Sequence, residues 1–118
     1  MTYKEVSSMI GSIDLPYAYT SFAEDSGQQP PFICFYFEGS RDFSADNTNY
    51  QRIRPLTIEL YTDNKDFALE ETVENTLNTY GLVYTRSETY IASERMYMVA
   101  FYTNIIITDD ISTEDNNG

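Results

Sequence analysis

The side chains in this sequence that could do chemistry are carboxylates and one thiol. Nineteen Asp and Glu stand against seven Lys and Arg, and there is no histidine. The usual general base and the usual transition-metal ligand are therefore missing. Cys34 lies inside the apolar run FICFYF and has no second cysteine to pair with. It reads as a buried, reduced thiol, which points to a reducing compartment. No histidine is there to activate it and no GxSxG or glycine-rich phosphate loop occurs, so nucleophilic catalysis finds no support. Two clusters of oxygen donors could face a hard cation: Asp63, Asn64 and Asp66, and Asp46, Asn47 and Asn49. Neither carries the glycine and terminal glutamate of an EF-hand loop, and Asp66 stands where a helix cap belongs. The pairs Glu70-Glu71 and Asp109-Asp110 are adjacent in sequence, need not face one another, and read as solvated surface. No catalytic, cofactor or metal site is expected, and a carboxylate-dependent nuclease is a remote alternative. The chain reads as a non-enzyme.

The formal charge of −12 argues against unaided binding to nucleic acid, whose affinity rests mostly on Lys and Arg at phosphates. No charged-then-apolar leader and no apolar run near 18 residues is visible, so neither secretion nor membrane spanning is expected. Seven Phe and eleven Tyr among 118 residues are many. Tyr buries a large ring while keeping a polar tip, which suits sheets and partly wet interfaces.

The elements that must position these residues are organised around Pro55 to Gly81. Leu56, Ile58 and Leu60 alternate with Thr57, Glu59 and Tyr61, the period of a strand. After the polar turn Thr62 to Asp66 the period becomes helical. Leu69, Val73, Thr76, Leu77 and Tyr80 form one stripe, with Glu70, Glu71, Glu74 and Asn78 mostly away from it. Asp66 is the expected N-cap and Gly81 the expected left-handed residue past the C-terminus. A first helix is expected over Tyr3 to Ile13, capped near Thr2. Tyr17 to Phe22 and Phe32 to Phe37 read as strands pairing as an antiparallel hairpin, the second apolar on both faces like a central strand. Glu38 to Asn49 is a loop or hairpin tip, and Tyr50 to Tyr61 the third strand. Pro55, which cannot donate to a ladder, demands an edge position or a bulge there. Leu82 to Tyr90 and Arg95 to Ile107 form a final hairpin.

Both alternating sets of that last strand are apolar, Tyr97, Val99, Phe101, Ile105 and Ile107 against Met96, Met98, Ala100, Tyr102 and Ile106. Such a strand needs cover on both sides, either from a second helix layer or from a neighbouring subunit. With two helices available, the subunit interface is favoured. The expected fold is α+β: an antiparallel or mixed sheet of about five strands with two α-helices packed on one face. It forms a single domain over residues 1–108, with 109–118 an acidic, flexible C-terminal tail.

The order of motifs resembles small tail-assembly proteins of phages and prophages of Gram-positive bacteria. The segments that carry the resemblance are PPFICFY at Pro30 to Tyr36, FSAD at Phe43 to Asp46, IELYTDNKD at Ile58 to Asp66 and LEETVE at Leu69 to Glu74. Ser87-Glu88-Thr89 before an apolar strand is similar too, and the likeness runs from about Leu15 to Tyr102. The extended C-terminal tail, and FALEE where a proline is expected in the first helical turn, depart from the pattern. The resemblance implies a tail terminator or head–tail joining protein with an α+β, tail-terminator-like fold. Such a protein assembles as a ring, commonly a hexamer, which caps the tail tube, stops its growth and meets the head connector. The implied partners are further copies of itself, the tail tube protein and a head-completion or connector protein, with DNA passing through unbound and no membrane involved. The implied location is the bacterial host cytoplasm during assembly and then the virion, at the head–tail junction.

The residue pattern fits that role in several ways. An acidic lining would keep DNA from adhering, although the acidic excess also reads simply as solvation. Arg41, Arg52 and Arg54 could meet acidic groups of an adjacent subunit or pair within their own hairpin. Phe43, an apolar residue among loop-formers, suggests an anchor or a folded-back plug. Together with Tyr50, Tyr97, Val99 and Tyr102 these are the candidate contacts to a neighbour or to the tube. The rival from another class is a small acidic inhibitor that mimics DNA.

Overall fold

The structure is a computed structural model that describes residues 1–39, 43–45 and 49–108, with the backbone alone at 43–45 and 49–51. The expected tail at 109–118 lies outside the described residues, as do Arg41, Asp46 and Asn47.

The change of period after Thr62 marks a real boundary. Strand β4 (Asn49–Thr62) ends there and helix α2 (Phe67–Thr79) follows. Asp66 caps α2 by accepting from the Leu69 amide at 3.0 Å, and Gly81 takes φ +72°, the left-handed conformation that a residue with a Cβ pays strain to adopt. Helix α1 (Tyr3–Gly11) starts at Thr2 with a reciprocal capping box: Thr2 Oγ1 accepts from Glu5 N at 3.0 Å, and Glu5 Oε1 accepts from Thr2 N at 2.7 Å.

The remaining strands are β1 (Tyr17–Tyr19), β2 (Phe32–Phe37), β3 (Phe43–Ala45), β5 (Tyr84–Ile91) and β6 (Met96–Ile107). The sheet order is β1-β2-β4-β6-β5, with β3 hairpinned onto the start of β4. The fold is α+β with a mixed sheet, because β1 pairs with β2 in parallel, Tyr17 opposite Ile33 and Tyr19 opposite Phe35. The antiparallel hairpin expected here is thus corrected. The segment 20–31 is long enough to carry the chain back to the start of the sheet, as a parallel neighbour requires. It supplies a turn over the end of β2 rather than a hairpin loop.

Pro55 occupies neither an edge strand nor a bulge. It sits mid-strand in β4, opposite Asn104 of β6. Its carbonyl accepts from Glu38 N at 2.9 Å, so that backbone unit faces β2, whose ladder ends one step earlier at Phe37 opposite Leu56. The missing donor therefore points where no ladder bond is required, and the strand has a local edge at that residue.

Both helices lie on one face. Val6, Met9 and Ile10 of α1, with Ile13 just beyond it, and Val73 and Leu77 of α2 close over Ile33, Phe35, Leu56, Ile58, Leu60, Val99, Phe101, Ile105 and Ile107. Each such aliphatic or aromatic side chain contributes roughly 1.5–3 kcal/mol of burial.

The expected helical stripe is wrong at two positions. Tyr80 is 41% exposed, while Glu70 is 2% exposed and turned towards the sheet. Glu70 can lie there because β5 places Arg86 beneath it. Arg86 Nη2 donates to Glu70 Oε1 at 2.7 Å, and Arg86 Nη1 donates to Glu74 Oε2 at 2.7 Å. Lys65 Nζ stands 2.5 Å from Glu70 Oε2 as a charge contact and also reaches Glu88. Burial pushes the Glu70 carboxyl up, but Lys65 and Arg86 outweigh it and hold it below the usual range.

Candidate assembly interface on the uncovered sheet face

Alternation along the strands sends the other half of each strand to a face that no helix covers. Register brings Phe32, Cys34 and Tyr36 of β2 beside Tyr61, Glu59 and Thr57 of β4, and these beside Met98, Ala100 and Tyr102 of β6. At the β1 end the segment 20–29 folds over this face, where Phe22 stands edge-on to Phe32 at 5.3 Å between ring centroids. It hides Cys34, which is free and 4% exposed, and burial followed by the nearby Glu59 charge pushes its thiol pKa up. A buried thiol of that kind is inert rather than nucleophilic.

Beyond this flap no helix covers the face, whose own side chains bury Thr57 and Ala100 and leave Tyr36, Glu59, Tyr61 and Met98 half-buried. Phe32 stacks on Tyr61 at 4.9 Å. Tyr61 donates its hydroxyl to Glu59 Oε1 at 2.7 Å, and Tyr36 reaches Glu59 Oε2 at a long 3.4 Å. Burial, then the bond to Glu59, drives the Tyr61 hydroxyl pKa far above its ordinary value, so it stays a donor at any physiological pH. A second carboxylate, Glu38, accepts from Thr57 Oγ1 at 3.2 Å. Glu38, Thr57, Tyr102 and Val83 line a cleft of about 380 Å³ in this face. Val83 is 89% exposed and Ile106 48% exposed, both apolar. The result is an aromatic and aliphatic surface set with two carboxylates, and no ion pair to either is present among the described residues.

The residues singled out from sequence fall in different places. Tyr102 lies on the open face, 40% exposed, with its hydroxyl 3.1 Å from Ser87 Oγ. Val99 is on the other face, 1% exposed in the core, and offers nothing to a neighbour in this fold. Tyr97 is also on the helix face, its ring 4.8 Å from Tyr90. Arg54 is spent within the chain: Nη1 donates to the Tyr3 hydroxyl and Nε to the Gly39 carbonyl, each at 2.7 Å, and its guanidinium lies 5.2 Å from the Phe37 ring centroid. Arg52 shares its face of β4, opposite Ile107, and is half-buried. Phe43 pairs with Gln51 and Tyr50 with Ser44 in the β3–β4 hairpin, but their side chains, and Arg41 altogether, lie outside the described residues.

Phe32, Tyr36, Glu59, Tyr61 and Met98 were not among the sequence candidates. The signal was present in the alternation of β4, which sends Thr57, Glu59 and Tyr61 away from the Leu56, Ile58 and Leu60 stripe.

No family model matches the chain, and no curated protein matches it. Among solved structures, the chain is similar to a chain from the virion of a native gene transfer agent (GTA) particle, with a TM-score of 0.50 and 11% identity. The match covers 88% of this chain and 90% of that one. At that identity the likeness is one of fold.

Proposed function

We propose that this chain is a structural protein of a phage-like particle, and within that class a tail terminator or head–tail joining subunit. Copies form a closed ring, six in the commonest arrangement, that caps the tail tube, ends its polymerisation and presents a surface to the head connector. The work is mechanical and calls for no catalytic step. The observation that carries the reading is the uncovered aromatic sheet face, found on a fold that aligns nearly end to end with a chain of a virion particle. An isolated monomer gains nothing from leaving such a face wet, whereas a repeated assembly buries it.

A DNA-mimic inhibitor needs rows of free carboxylates spaced like phosphates. Glu70, Glu74 and Glu88 are instead held by Lys65 and Arg86, which leaves less free charge for that role.

The test is absolute mass by light scattering across protein concentration and salt, repeated with purified tail tube protein present. A particle of ring mass, alone or on the tube, supports the proposal. A strict monomer under both conditions rejects it.

A further inference from the structure

The open sheet face has a chemistry that selects what covers it. Its carboxylates Glu38 and Glu59 flank Tyr36, whose hydroxyl pKa is raised by burial first and then by both charges. Among the described residues Glu59 Oε2 has the single long contact of 3.4 Å to Tyr36. A carboxylate about to be covered by an apolar neighbour without a cation would be strongly destabilising. Packing this face against the same face of another copy would bring like charges together, so a two-fold pairing is disfavoured. The fitting occupant carries a cation, and the cleft of about 380 Å³ beside Glu38 and Tyr102 can admit an arginine side chain.

The cations among the described residues narrow the choice. Lys65 and Arg86 hold Glu70, and Arg54 is bonded to Tyr3 and Gly39. Lys4 already has a partner, and Arg95, which has no ion pair among the described residues, lines a cleft that already holds Asp63 and Glu94. Arg52 has no side-chain partner among the described residues and stands on the opposite face of β4 from Thr57. Five residues of strand separate the two, roughly 17 Å. A donor patch and an acceptor patch on opposite faces of one strand cannot both be satisfied by a two-fold pair. They fit the head-to-tail contact that closes into a ring.

We propose that Arg52 of each copy enters the Glu38–Glu59 face of the next copy, making the open sheet face the acceptor side of the ring interface. The inference rests on the ring reading above and assigns its two sides.

The test is a charge swap read by mass against concentration. Glu38→Arg alone and Arg52→Glu alone should each raise the concentration needed for half-assembly at least about tenfold, and the double variant should restore it to near the wild-type value. Glu38 is exposed and is the safer site for folding. Glu59→Gln keeps the shape while removing the second charge, and should weaken assembly by a smaller factor. Circular dichroism on each variant separates loss of fold from loss of contact. A wild-type ring that survives both single swaps, or a double swap that recovers nothing, overturns the assignment and leaves the ring intact. A wild-type chain that never assembles, alone or on the tube, removes the ring reading and this contact with it.

Discussion

Replacing Glu70 by Gln should cost the fold more at neutral pH than at acid pH, and the sign follows from the geometry. The Glu70 side chain is 3% exposed, with Arg86 at 2.7 Å and Lys65 at 2.5 Å. Breaking a fully buried pair costs about 3–5 kcal/mol. Here the two cations are 33% and 21% exposed and keep Glu74 and Glu88 as partners. Gln can also still accept from Arg86, so the expected loss at pH 7 is about 1–2 kcal/mol, or roughly 4–8 °C in Tm. The pKa of Glu70 in the folded chain lies below its ordinary 4.5. Its contribution is therefore fully present above that value and disappears as pH falls to and through the folded value. Urea unfolding of both proteins from pH 7 to pH 3 isolates this group, because the other titrations cancel in the difference. The gap should hold steady down to about pH 5 and then close. A gap that stays constant to pH 3, or widens, would refute the idea that the charged form is the stabilising one.

Three smaller outcomes follow from the same structure. Gly81→Ala should destabilise by about 1 kcal/mol in thermal unfolding, since φ is +72° and the space around it is empty, leaving backbone strain as the whole cost. Thr2→Ala removes the capping box of α1 and should cost about 1 kcal/mol, with Glu5→Ala costing less and the double variant less than the sum. Cys34 should react slowly with a soluble thiol reagent in the native protein and at once in urea; fast native labelling would mean that the flap over residues 20–29 opens readily.

What could be read from the sequence was local. Asp66 and Gly81 announce α2 because capping and the left-handed region depend on single residues, and Thr2 announces α1 likewise. The β4 alternation shows a strand with two unlike faces. Direction and pairing are less visible, because they depend on where distant segments lie. Nothing in YAYTSF says that β1 runs parallel to β2. Pro55 argued for an edge strand, and the structure meets the same constraint by ending β2 beside it. Glu70 broke the helix pattern because its cations come from Lys65 and from Arg86, the latter on another element. The interface candidates suffered from the same limit: both faces of β6 are apolar, and only the position of the helices separates Val99 in the core from Tyr102 on the open side.

The place of β6 has a consequence for when the protein becomes usable. It is the last of the described strands in the chain, yet it lies between β4 and β5 in the sheet. Until it is inserted, β4 exposes an unpaired backbone edge, a template for unwanted pairing. The β4–β6 ladder joins segments separated by all of α2 and β5, so it closes late on loop-entropy grounds. The local β5–β6 hairpin closes a much shorter loop, so on the same grounds it costs less to form than the β4–β6 ladder. The open face, whose rows come from β2, β4 and β6, exists only after that ladder closes. A chain that stops short of β6 therefore lacks the Met98, Ala100 and Tyr102 row of that face.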